Sequence, residues 1–166
     1  MEHPREVAAL LHDADASDEV VAAGVLHDTV ELTRATLADV EERFGTEVEG
    51  LVGAVTEDPS IRSYGQRKAA LRIQAVDAGH DAAVLFAADK LSKVREYRAQ
   101  LARAAVGGTP PRPRRLNHYA ASLVDLERTI PGHLLVVELR KELTPLAPLP
   151  AVNQGGARNP SLVQDE

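Results

Sequence analysis

The sequence predicts an all-α fold, a non-coiled-coil bundle of about seven or eight helices. Three observations carry this. Only 3% of the 166 residues are aromatic and alanine is abundant, which favours closely packed helices over sheets built on aromatic and β-branched runs. Apart from Pro4 and Pro59, every proline lies at or beyond Pro110. Proline breaks helix interiors, so the gaps between prolines are room for helices. Within those gaps apolar residues recur at helical spacing.

The first helix is read over residues 4–12, with Pro4 in its first turn and Val7, Ala8, Leu10 and Leu11 apolar. Ser17 is an N-cap candidate ahead of Asp18 and Glu19, and its helix runs through Val20, Val21, Ala23, Gly24, Val25 and Leu26 to about Val30. Thr36 caps the next helix and Gly45 ends it after Phe44. Thr46 begins another, with Val48, Leu51, Val52 and Val55 on one face. Residues 61–78 and 81–106 read as two long helices divided by Gly79, with Asp81 as N-cap of the second. That second helix is apolar early and charged late, so its first half is expected to be buried. Residues 107–115, GGTPPRPRR, read as a linker or sharp turn whose RPRR cluster is solvated, with contact to an acidic partner as the alternative. Helices at about 116–128 and 131–143 follow. The expected organisation is one domain over 1–144 and a Pro/Gly-rich mobile tail over 145–166.

Composition narrows the function. The formal net charge of −6 argues against nucleic-acid binding, which needs dense clustered lysine and arginine. With no cysteine, the chain has no disulfide, thiolate metal site or thiol nucleophile, and an intracellular, cytoplasmic location is the default expectation. No apolar run is long enough for a membrane span. Any metal site must use nitrogen and oxygen ligands, for which six histidines are available.

His-Asp occurs three times, and context separates the copies. His12-Asp13 lies in a polar stretch, and His80-Asp81 follows Gly79 at a helix start. His27-Asp28 instead follows the apolar run VVAAGVL and is expected to be partly buried. A buried charge needs a partner or a metal. Asp89, inside the apolar segment FAADKL, is the best further ligand candidate, and His3 is the other. A His₂Asp₂ set with open positions suits a hydrolytic divalent metal of the manganese, iron or zinc type. The alternative is that Asp89 pairs with Lys90, Lys93 or Arg95 while His27 is an ordinary core histidine. His118 and His133 read as surface or packing residues, and Glu41, Glu42 and Glu47 as solvent-facing helix charges.

Four segments give the sequence a family likeness. They are His3-Pro4 with EVAALL, GVLHDTVELT at 24–33, FGTEVEGLVGAVTED at 44–58 with Tyr64 and Arg67-Lys68 after it, and AADKLSKVRE at 87–96. Taken in order, they resemble the HD-domain metal-dependent phosphohydrolases, in the branch that hydrolyses guanosine tetra- and pentaphosphate alarmones. The resemblance implies that His3, His27, Asp28 and Asp89 are the metal ligands and that the metal is manganese. It also implies that Glu31 positions the attacking water. The substrate would be a small phosphorylated guanosine nucleotide that loses its 3′-pyrophosphate. Arg67, Lys68, Lys90 and Lys93 fall where the substrate is bound. For Arg67 and Lys68 a solvated surface role is the competing reading.

Three departures from the pattern stand out. Leu32 replaces the second acid of the usual Glu-Asp pair, and Lys93 replaces the usual asparagine. The helix and basic stretch that normally precede the His-Pro motif are missing, which leads to the expectation that the natural start lies upstream of Met1. The alternatives to hydrolysis are a degenerate HD domain that binds metal or nucleotide without efficient turnover, and a nucleotidase of altered substrate choice.

Overall fold

The computed structural model describes residues 3–147. Within them the chain forms helices α1 (His3–Asp13), α2 (Asp18–Leu26), α3 (Thr29–Leu32), α4 (Leu37–Phe44), α5 (Thr46–Val55), α6 (Tyr64–Asp77), α7 (His80–Ala104), α8 (Pro113–Thr129) and α9 (Leu134–Leu143), and no strand. The all-α class is as expected. The additional short helix is α3, which arises because the expected helix 18–30 is two. It stops at Leu26, where the ring Nδ1 of His27 takes the Gly24 carbonyl at 2.8 Å. That carbonyl is the acceptor a continuing helix would use for its next turn. The chain turns at His27-Asp28 and restarts at Thr29.

The caps follow local chemistry. Ser17 Oγ accepts from the Val20 amide at 3.3 Å, and Thr36 forms a reciprocal capping box with Asp39. Gly79, not Asp81, is the N-cap of α7. Its φ of +108° is left-handed backbone, which glycine adopts without penalty. Asp81 falls in the first turn and bonds to His80. α6 begins three residues later than expected, at Tyr64. α8 begins three residues earlier, because Pro113 takes the first helical position, where its missing amide costs nothing. Arg114 and Arg115 therefore belong to a helix rather than a linker.

α7 is the axis of the bundle. It packs against α1, α2, α5, α6, α8 and α9. As its apolar first half predicts, it is buried without interruption from Ala82 to Ser92. Burial of that run, with Val7, Leu11, Val52, Leu123, Leu126 and Leu139 around it, is the main source of stability. It also takes Asp89 and Lys90 into the core. α1 and α2 approach closely at Gly24, where a Cβ would stand 2.5 Å from Leu11 Cδ1. The absent side chain lets the start of α1 lie beside the end of α2. Leu146 packs against the core just beyond α9. Residues 148–166 lie outside the described residues. Among the described residues, no helix is long and apolar enough to cross a membrane.

Candidate metal centre and adjoining basic pocket

His3, His27 and Asp28 bring ligand atoms within 4.8 Å of one another, and Asp89 faces the two histidines. His3 comes from the first turn of α1, His27 and Asp28 from the turn closing α2, and Asp89 from the middle of α7. His3 Nε2 lies 3.2 Å from His27 Nε2 and 3.1 Å from Asp89 Oδ1. His27 Nε2 lies 3.1 Å from Asp28 Oδ1 and 3.5 Å from Asp89 Oδ1. Asp28 Oδ2 is 3.7 Å from His3 Nε2. His27 and Asp89 are buried, while His3 and Asp28 are partly open.

The donor set fits a divalent ion. For bonds of about 2.1 Å, neighbouring ligand atoms stand about 3.0 Å apart on an octahedral centre and about 3.4 Å apart on a tetrahedral one. The observed spacings of 3.1 to 3.7 Å lie near both values. The far nitrogen of each ring is also fixed. His27 Nδ1–H donates to the Gly24 carbonyl, so Nε2 is the nitrogen that faces the cluster and the one a metal would take in exchange for its proton. Ser92 Oγ donates to Glu6 Oε2 at 2.8 Å and accepts from His3 Nδ1 at 2.8 Å, which turns His3 Nε2 toward the cluster in the same way.

Burial disfavours charge on His27, but the carboxylates of Asp28 and Asp89 outweigh it and raise its pKa to about 9. Burial likewise works against charge on Asp89. The ammonium groups of Lys90 and Lys93, with hydrogen bonds from both histidines, hold its carboxyl well below the usual range. Lys90 is itself pulled down to about 8 by burial. It is ion-paired to Asp89 and sits 4.2 Å from the centre of the Phe86 ring. Asp89 thus faces both histidines and pairs with two lysines at once.

Adjoining the cluster lies a cavity of about 290 Å³, lined mainly by cations from α6, α7 and the start of α8. Lys68, Lys90, Lys93, Arg112, Arg114 and Arg115 supply the charge, and Tyr64 and Tyr119 supply aromatic walls. Arg114 stacks over the Tyr64 ring at 4.3 Å. Three of the expected substrate residues, Lys68, Lys90 and Lys93, line this cavity. Arg67 does not; it ion-pairs with Glu57 and donates to the Ile61 carbonyl at 2.7 Å, bracing the loop before α6. The RPRR cluster, read from composition as a solvated linker, contributes three of the cavity's arginines. His118 is buried against the same cavity, its Nε2 without a hydrogen-bond partner among the described residues. Burial and the surrounding cations push its pKa down to about 2, so the ring is neutral.

Glu31 lies on α3 immediately after Asp28. Its Oε1 accepts from the Glu57 amide at 2.8 Å, which ties α3 to the loop after α5. Glu57 in turn is ion-paired to Lys68 and Arg67. Glu57, Glu6 and Ser92 are parts of the site that sequence reasoning missed. Their roles depend on partners 10 to 89 residues away, and no local pattern records those contacts. Leu32, beside Glu31, is 77% exposed and brings no polar group to the site.

Residues 1–106 match the family model for the HD domain. The chain belongs to the HD domain family. Family membership implies a domain that depends on a divalent metal. Among curated proteins, this HD domain is 42% identical over 99 residues to the human guanosine-3′,5′-bis(diphosphate) 3′-pyrophosphohydrolase MESH1, covering 57% of this chain and 53% of that one. It is 29% identical over 155 residues to the GTP pyrophosphokinase rsh of Brucella ovis, covering 87% of this chain and 18% of that one. The chain thus spans about half the length of the first of these relatives and a smaller share of the second. Among solved structures, a Listeria monocytogenes protein superposes with a TM-score of 0.74 at 28% identity, covering 86% of this chain and 91% of that one. A metazoan SpoT orthologue described as hydrolysing ppGpp superposes with a TM-score of 0.70 at 29% identity, covering 87% and 79%.

Proposed function

We propose that this HD domain, taken as residues 1–144, hydrolyses the 3′-pyrophosphate of guanosine tetra- or pentaphosphate with manganese as its metal. The observation that carries the proposal is the adjacency of two opposite environments on α7. A nitrogen–oxygen cluster is centred on His3, His27, Asp28 and Asp89, and a cationic cavity of about 290 Å³ adjoins it at Lys93. The named activities of the human and metazoan relatives support the same reading.

His3, His27, Asp28 and Asp89 would hold the metal. When bound, it supplies Lewis-acid stabilisation of charge on the phosphoryl oxygens. Lys68, Lys90, Lys93 and the three arginines bind and orient the phosphates. Arg67 acts at one remove, through Glu57. Glu31 Oε1 is occupied by the Glu57 amide, which leaves Oε2 to orient a water and take up its proton. Leu32 contributes nothing to that step. This favours a second reading, a domain that binds metal and nucleotide but turns over slowly.

One assay separates these readings. The purified protein with Mn²⁺ is offered guanosine tetraphosphate and a panel of nucleotides, beside the His27→Ala and His12→Ala variants. The first reading expects release of pyrophosphate from guanosine tetraphosphate, abolished in His27→Ala and unchanged in His12→Ala, whose ring is exposed. Bound metal without turnover would support the second reading. Preferred turnover of a different nucleotide would replace the proposed substrate. Equal loss in both variants would remove the site assignment.

A further inference from the structure

Lys93 has an unusual position. Its Nζ lies 2.8 Å from Asp89 Oδ1 and 3.8 Å from Asp28 Oδ1. Asp89 Oδ1 is also the oxygen that faces both histidine nitrogens, at 3.1 Å from His3 and 3.5 Å from His27. The ammonium therefore occupies an atom that the proposed metal would need. The same side chain lines the basic cavity, and it keeps 26% of its surface exposed, so it has room to move. Lys90 differs: it is buried, and it engages the other oxygen of Asp89. A dication and an ammonium on one carboxylate oxygen repel each other strongly at this range. Once displaced, the ammonium has an adjacent destination among cations that await an anion.

We propose that Lys93 is a tethered cation that holds the metal's place on Asp89 and Asp28 and swings into the basic cavity when an anion occupies it, so that metal and phosphate each tighten the binding of the other. The inference rests on the reading of His3, His27, Asp28 and Asp89 as metal ligands. Coupling of this kind is reciprocal, because both ligands draw on the same lysine displacement. It gives the lysine at this position a role that an uncharged amide could not fill. The enzyme would hold metal firmly only with a phosphate group in place.

The test is calorimetric titration of Mn²⁺ into the full chain, in chloride and in sulfate at equal ionic strength. Sulfate serves as the anion probe because it is tetrahedral and dianionic. The native protein, Lys93→Met and Lys93→Asn are compared after circular dichroism has confirmed their helicity. In chloride, both variants should bind Mn²⁺ more tightly than the native protein, by about tenfold or more. Sulfate should tighten Mn²⁺ binding severalfold in the native protein and much less in either variant. Equal affinities for all three proteins in chloride would overturn the proposal, as would an equal sulfate effect in all three. If a variant fails to fold, the native protein still decides, since no sulfate effect on its Mn²⁺ affinity would overturn the proposal. Absence of Mn²⁺ binding in every protein would remove the metal reading itself, a result distinct from equal binding.

Discussion

The two faces of α7 are built on opposite plans. The acidic face gathers His3, His27, Asp28 and Asp89 from three helices, and each histidine ring is fixed through its far nitrogen. The basic face gathers lysines and arginines from α6, α7 and the start of α8, and Arg112 and Arg114 are exposed. A metal needs ligand atoms within a few tenths of an ångström, so its site belongs in the rigid, buried part of the bundle. Phosphates are met by long side chains that adjust, so theirs can sit on a helix start and a turn. Asp89, Lys90 and Lys93 are the seam, one residue facing each way and one shared.

The largest effect expected is at the seam. Asp89→Ala should abolish stoichiometric Mn²⁺ binding. It should also cost about 3 kcal/mol of stability in chemical denaturation, because Lys90 is left buried without its partner. Retention of both would mean that the faces are not joined through Asp89.

The rigidity of the acidic face can be tested at Gly24. Gly24→Ala puts a Cβ against Leu11 and pushes α1 from α2, at an expected cost of about 2 kcal/mol. Because His3 rides on α1, Mn²⁺ affinity should fall with stability, and calorimetry beside denaturation would show whether the two move together.

The complementary change is confined to the basic face. Arg112→Ala with Arg114→Ala should raise KM for the nucleotide about tenfold while Mn²⁺ affinity and stability stay within error. Parallel loss of metal binding would show that the two faces are not separable.

Glu57→Gln is expected to have the smallest effect. Burial works against the Glu57 carboxylate, but its ion pairs with Lys68 and Arg67 hold its pKa below the usual value. A folded-state pKa below the unfolded one stabilises above the unfolded value, and that contribution is lost as pH falls through the folded value. The native protein should therefore lose about 1 kcal/mol on this account as the carboxylate protonates, and Glu57→Gln should show a correspondingly flatter acid limb in pH-dependent denaturation.

The same contrast explains what was legible in the sequence. A His-Asp pair after an apolar helix, and an aspartate inside another, are anomalies against hydrophobic patterning, so the acidic face announced itself residue by residue. The caps at Ser17 and Thr36 were equally local and came out as read. The break at His27 was not legible, because a ring-to-carbonyl bond three residues back leaves no trace in propensity. The basic face was read in part. Lys68, Lys90 and Lys93 line the cavity, but Arg67 turns to Glu57, and RPRR reaches the cavity only because Pro113 starts α8 early. Those outcomes depend on how α6 and α8 pack around α7, which a surface charge pattern does not encode.

The most direct test of the central claim is anomalous diffraction at the manganese edge from crystals of the protein grown with Mn²⁺. The account predicts a single strong peak per chain within bonding distance of His3 Nε2, His27 Nε2, Asp28 and Asp89 Oδ1, with Lys93 Nζ withdrawn from Asp89. A peak elsewhere on the chain, or none at this cluster at saturating Mn²⁺, would contradict it.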